Sequence, residues 1–159
     1  MKKPSKIKCV TAKKAWFLPS GFAAITLFGV VYCASQAKAD EINKSEEIDS
    51  LLESHETIHV RQAESTKNSW IIYYLKYIWQ WICNLPLIFI DTHAPYKFIA
   101  FEIEAYRYQN DWNYCKTECI KWKDYNKLTL KEKKKLAKEY FSGKMIFTNF
   151  IEKYIDPLL

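Results

Sequence analysis

The sequence predicts a mainly α-helical chain with a small β-hairpin or strand element near its N-terminus. Three observations carry that expectation. Only three of the 159 residues are glycine and five are proline, so few positions interrupt helices. From residue 45 onward, apolar residues recur at three- and four-residue steps, the spacing of one helix face. Runs of strand length rich in β-branched and aromatic residues, Ile25-Thr26-Leu27-Phe28 and Val30-Val31-Tyr32, lie near the N-terminus. A chain of this length forms one domain around one core. Its 49% hydrophobic and 16% aromatic content excludes bulk disorder.

Residues 1–14 are basic and expected to be mobile, and 15–159 form the single domain. The net charge of +6 is concentrated in Lys2–Lys14 and Lys121–Lys138. Such runs read as solvated faces, or as flanks of a membrane on its cytoplasmic side. No nucleic-acid-binding motif is present, so nucleic acid is not an expected partner. Five cysteines, Cys9, Cys33, Cys83, Cys115 and Cys119, show no disulfide-framework spacing and fit a reducing compartment.

Residues 15–35 carry no charge and leave three readings open. One is a pair of buried strands, with Pro19-Ser20-Gly21 as a turn and Gly29 as a bend. The second is a signal peptide, with Ala37-Lys38-Ala39 as a small-x-small site and export after cleavage near Ala39. The third is a membrane anchor.

Residues 45–66 are expected to form a helix, with Asn43 as its cap and Glu46 as the reciprocal partner. Ile48, Leu52, His55, His59 and Gln62 follow at four- and three-residue steps on one stripe. Within it stands His55-Glu56-Thr57-Ile58-His59. Two imidazoles one helical turn apart can hold a single Zn²⁺, and Glu56 is then placed to act as general base toward water. Since the stripe begins apolar, the histidines face the interior, where buried imidazoles need partners. Gln62 reads either as a partner to a ligand histidine or as a polar residue at the wetter end of the helix.

Residues 69–90 form a strongly aromatic helix whose one charge is Lys76 and which Pro86 interrupts. It is expected to pack over the motif helix and to lean on a membrane surface, with a transmembrane span as the alternative. His93 follows in a loop, as a third ligand, as a group polarising a substrate carbonyl, or simply exposed.

Residues 101–122 form the second ligand helix. A catalytic zinc site needs a third protein ligand and an open position. Glu102 and Glu104 both offer a carboxylate but point to nearly opposite faces. Glu102 shares its face with Ala105, Tyr106 and Gln109, and small Ala105 permits close approach to the motif helix, so Glu102 is the expected ligand. Glu104, the alternative, shares its face with Arg107 and Tyr108 and reads as solvent-facing. Cys115 and Cys119 read as ordinary reduced cysteines. Residues 129–156 form the C-terminal helices, opened by a Thr129/Glu132 capping box and broken at Ser142-Gly143.

His55 to His59, followed by Glu102-Ile103-Glu104-Ala105, resembles the gluzincin pattern of zincin metallopeptidases. There, a Glu-x-x-Ala on a downstream helix gives the third ligand. The segments His55 to Gln62 and Phe101 to Tyr106 resemble more closely a group of small bacterial proteins with His-Glu-x-x-His-x-x-Gln and Phe-Glu-x-Glu-Ala-Tyr. The resemblance implies a zincin-like minimal metalloprotease core with strands ahead of the motif helix, Zn²⁺ on His55, His59 and Glu102, and Glu56 as base. Tyr106 stands where larger families often have Asp. The function expected is zinc-dependent hydrolysis of a peptide bond in a peptide or protein substrate. Tyr106 or His93 is the expected oxyanion donor, and the location is cytoplasmic or membrane-associated. The alternatives are a non-catalytic zincin serving as a metal-stabilised binding module, and a membrane-associated structural protein with incidental histidines.

Overall fold

The computed structural model describes residues 8–10, 15, 18, 21, 24–44, 48 and 50–159. Strands β2 (Ala24–Leu27) and β3 (Val30–Cys33) pair antiparallel, with Leu27 opposite Val30 and Ala24 opposite Cys33. Phe28 and Gly29 connect them, both at positive φ (51° and 77°), as a two-residue hairpin turn requires. A phenylalanine is strained there. Tyr74 holds it in place by accepting the Phe28 N–H at 2.8 Å and packing edge-on against its ring at 5.3 Å.

The strand pair expected for 15–35 therefore forms. Of its proposed turn, Pro19 and Ser20 lie outside the described residues. Lys8–Val10, expected in the mobile basic segment, forms strand β1 and pairs parallel with β3. β3 has a second backbone edge to satisfy, and β1 satisfies it. The order is β1-β3-β2, which leaves β2 at an edge among the described residues.

Helix α1 (Gln36–Lys44) buries Ala39 and Ile42 against the inner hairpin residues Ala24, Val31 and Cys33. It contains Ala37-Lys38-Ala39. It also contains Asn43, which therefore does not cap the motif helix; Glu46 lies outside the described residues. The motif helix α2 spans Leu51–Ser65, and its cap is Ser50, whose hydroxyl accepts the Glu53 N–H at 3.2 Å. The sequence suggested one buried stripe. Instead, every residue from Glu53 to Val60 is buried, because α2 runs through the middle of the molecule between β2, α3 and α5.

Helix α3 (Trp70–Asn84) is shorter than the stretch expected, since Pro86 opens a 3₁₀ turn over Leu85–Phe89. Among the described residues no helix is long and apolar enough to cross a membrane. Short α4 (Ala94–Lys97) leads into α5 (Ala100–Tyr108). The second ligand helix stops there rather than reaching 122. The Asp111 carboxylate accepts the Asn113 N–H at 3.0 Å, a local turn that competes with the helix. A 3₁₀ turn (Tyr114–Lys116) and α6 (Trp122–Tyr125) follow. Cys115 and Cys119 pack buried against Ile58 and Ala105, and burial raises both thiols. Helix α7 (Leu130–Ser142) shows the expected capping box, and α8 (Phe147–Phe150) continues into a π-turn over Ile151–Ile155.

One buried charge on α7 yields a test. Lys133 reaches inward to donate to Asn84 Oδ1 at 3.1 Å, and burial lowers its pKa to about 8. The unfolded chain binds that proton up to the ordinary lysine value of 10.5, the folded chain only up to about 8. Stability from this group is therefore missing below about pH 8 and gained as pH rises toward 10.5. Lys133→Met removes that rise. Urea denaturation between pH 7.5 and 10 gives a flatter stability profile than the parent, and an unchanged slope refutes the assignment.

Candidate metal centre

Helix α2 supplies His55 and His59, and α5 supplies Glu102. The His59 Nε2 lies 3.2 Å from Glu102 Oε1, and the His55 Nε2 lies 3.4 Å from Oε2. The two Nε2 atoms are 3.2 Å apart. All three side chains are buried, and their ligating atoms fall within 4.8 Å of one another. This group can hold a metal ion.

The outer contacts decide which nitrogens face the centre. The Gln62 side-chain NH₂ donates to the Phe101 carbonyl at 2.9 Å and to Glu104 Oε2 at 2.6 Å. Both are acceptors, so the Gln62 carbonyl oxygen must face His59 Nδ1, 2.8 Å away. His59 therefore carries its hydrogen on Nδ1. The same reasoning applies to His55. The Thr148 hydroxyl donates to the Tyr106 carbonyl and so accepts from the Gln109 NH₂, which leaves Gln109 Oε1 to accept from His55 Nδ1–H at 3.2 Å. Both Nε2 lone pairs then converge on the Glu102 carboxylate. Two bare lone pairs at 3.2 Å repel, so a proton or a metal ion must lie among these atoms. Among the described residues, Glu102 Oε2 is buried without a hydrogen-bond partner, while Oε1 accepts from the Tyr77 hydroxyl at 2.7 Å.

The charge balance points the same way. Burial pulls the His59 pKa down, but the charge and hydrogen bond of Glu102 outweigh it and raise it to about 9. Burial likewise opposes ionisation of Glu102, and the two histidines hold it well below the carboxylate range. The centre thus favours positive charge.

Glu56 is buried but lies outside the ligand group. Its carboxylate accepts a hydrogen bond from the Thr26 hydroxyl on β2. With His59 and Glu102 it lines a cavity of about 380 Å³ between β2 and α3. The other walls are apolar and aromatic, formed by Ile25, Leu27, Tyr74, Tyr77, Trp81 and Tyr96 among others.

Of the residues the sequence singled out, His55, Glu56, His59, Gln62 and Glu102 come together. Glu104 does not join the centre, nor does it face solvent. It is fully buried and accepts from Gln62, the Tyr114 hydroxyl at 2.5 Å and the Lys121 N–H at 2.7 Å. Chain from beyond the end of α5 folds back over the face that helix periodicity reads as wet. His93 is on the surface, its side chain 64% exposed and paired with Asp91 at 3.2 Å, so it is neither a ligand nor beside the cavity. The Tyr106 ring sits edge-on to His55 at 4.7 Å, under the Lys97 ammonium, and does not line the cavity; burial raises its hydroxyl to about 12. Sequence reasoning passed over Gln109 as a partner of His55, Thr26 as a partner of Glu56, and Tyr73 and Tyr77 around His59 and Glu102. Gln109 had a signal, since it shares the Glu102 face. Comparison of the chain with protein-family models, with curated proteins and with solved structures finds no match in any of the three.

Proposed function

We propose that the chain is a zinc-dependent hydrolase that cuts a peptide bond, with a zincin-like arrangement of its site. The observation that carries this reading is a buried carboxylate that is not a ligand, Glu56, next to a two-histidine, one-carboxylate donor set and facing a cavity. A metal that only stabilises a binding module needs the donors but not that extra buried acid. His55, His59 and Glu102 are the residue types that hold Zn²⁺ in catalytic sites. Bound there, Zn²⁺ supplies Lewis acidity and a water of lowered pKa.

The chain's own groups do the rest. Thr26 orients Glu56, which takes the proton of the attacking water and passes it to the leaving amine. Gln62 and Gln109 keep both Nε2 lone pairs turned inward. Tyr77 and Tyr96 line the cavity, and burial holds their hydroxyls protonated, well above 10; the Tyr77 hydroxyl donates to Glu102 Oε1 and so helps to aim that carboxylate. The apolar walls suit a substrate with a large apolar side chain beside the cleaved bond.

Elemental analysis of purified protein tests the metal. The parent carries about one zinc per chain, and the His55→Ala/His59→Ala double variant carries none while its circular dichroism stays helical. Zinc that survives the double substitution, or a parent that binds none, refutes the site.

A further inference from the structure

The hydroxyl of Tyr74 ties helix α3 to the hairpin at two backbone points. It accepts the Phe28 N–H at 2.8 Å and donates to the Thr26 carbonyl at 3.2 Å. A phenol has one hydrogen to give, and that carbonyl takes it. The ring is fixed on two sides, stacked on Trp70 at 5.8 Å and edge-on to Phe28 at 5.3 Å.

Strand geometry explains why Thr26 has a carbonyl to offer. Leu27 and Val30 flank the two-residue turn, and Thr26 stands opposite Val31, one pair further out. Hydrogen-bonded and non-hydrogen-bonded pairs alternate along an antiparallel ladder. Strand β2 is at the sheet edge among the described residues, and its Thr26 carbonyl turns toward α3. The Thr26 side chain is buried, and its hydroxyl donates to Glu56. One residue thus takes the tyrosine at its backbone and holds the carboxylate with its side chain. The turn beside it carries Phe28 at a φ of 51°, and a residue so strained keeps its conformation only while its surroundings impose it.

We propose that Tyr74 is a positioning residue for Glu56, acting through Thr26: its hydroxyl fixes where β2 stands, and β2 fixes where the carboxylate stands in the cavity. Both hydrogen bonds of that hydroxyl go to backbone, so Tyr74 has no part in proton transfer. Its effect on turnover rests on the hydrolase reading, whereas its effect on the place of Glu56 does not.

The test uses the full chain with ¹³C in the glutamate side-chain carboxyls, followed by NMR with and without zinc. Glu56→Gln identifies the Glu56 resonance by its loss. Thr26→Val moves that resonance, because the carboxylate loses its donor. Tyr74→Phe, which removes one oxygen and keeps the ring, moves it in the same direction. With quenched apolar peptides, Tyr74→Phe lowers kcat by at least about tenfold, while KM and zinc content stay those of the parent. Tyr74→Phe/Thr26→Val falls no further than Thr26→Val alone, as expected of two residues acting along one path. A Glu56 resonance that Tyr74→Phe leaves unmoved overturns the proposal, whatever turnover does. So does a loss carried by KM, or full additivity in the double variant. A parent that cleaves no peptide ends the hydrolase reading instead, and the resonance alone then decides whether Tyr74 places Glu56.

Discussion

Glu56→Gln is expected to keep its zinc and to lose roughly 10²–10⁴-fold in peptide hydrolysis. The two halves of that result have different physical origins. Zinc is retained because Glu56 is not among the three donors, and glutamine preserves its volume and an acceptor for the Thr26 hydroxyl. Hydrolysis falls because an amide cannot take a proton from water. The comparison is made with quenched fluorescent peptides carrying large apolar residues, alongside zinc content measured on the same preparations. Equal turnover by parent and variant refutes the role of Glu56, even if the metal is confirmed. Thr26→Val is the companion variant. It keeps the shape of a strand residue but removes the donor that aims the carboxylate, so activity drops less than in Glu56→Gln and zinc again stays.

That hydroxyl also shows where sequence reading stops. The grouping of His55, His59 and Glu102, a set that could hold a metal ion, was legible because each part of it is local. His55 and His59 stand one turn apart on a helix, and the small Ala105 beside Glu102 marks the face that approaches α2. The strand pair was legible as one of three readings, since β-prone runs flank Gly29, but Phe28 read as strand and instead shares the turn with that glycine. Thr26 and Glu56 are 30 residues apart, and nothing in either segment announces the other. The exposure of Glu104 was misjudged because helix periodicity describes a helix with one covered face. In α5 the segment from Asn110 to Trp122 returns over the opposite face, so six consecutive residues, Ala100 to Ala105, are buried. The same turn at Asp111 cut the second ligand helix short. His93 was a candidate by residue type alone, and type alone does not bring a loop to a centre.

Glu104→Ala is expected to cost about 3 kcal/mol of stability. The carboxylate takes hydrogen bonds from Gln62, Tyr114 and Lys121, and removing it strands three donors in or near the core. Each orphaned buried donor costs about 1–3 kcal/mol, but Gln62 still has the Phe101 carbonyl and Tyr114 is partly exposed, so the sum stays near the low end. The pH dependence gives an independent signature. Burial raises the Glu104 pKa above the ordinary 4.5 despite those three donors. The folded chain then keeps this proton to higher pH than the unfolded chain, so stability from the group falls as pH climbs from 4.5 toward the raised value. Denaturation of Glu104→Ala lacks that fall. The variant reaches the metal as well. Glu104 is one of the two acceptors that fix the Gln62 amide, and Gln62 fixes the hydrogen of His59 on Nδ1. Loss of such an outer partner weakens metal affinity by about 10–100-fold, which competition with a chromophoric chelator measures. A variant as stable as the parent, with the same zinc affinity, shows that the centre is not held from behind by this carboxylate. A variant that loses stability but keeps its affinity confines Glu104 to the core and leaves Phe101 sufficient to orient Gln62.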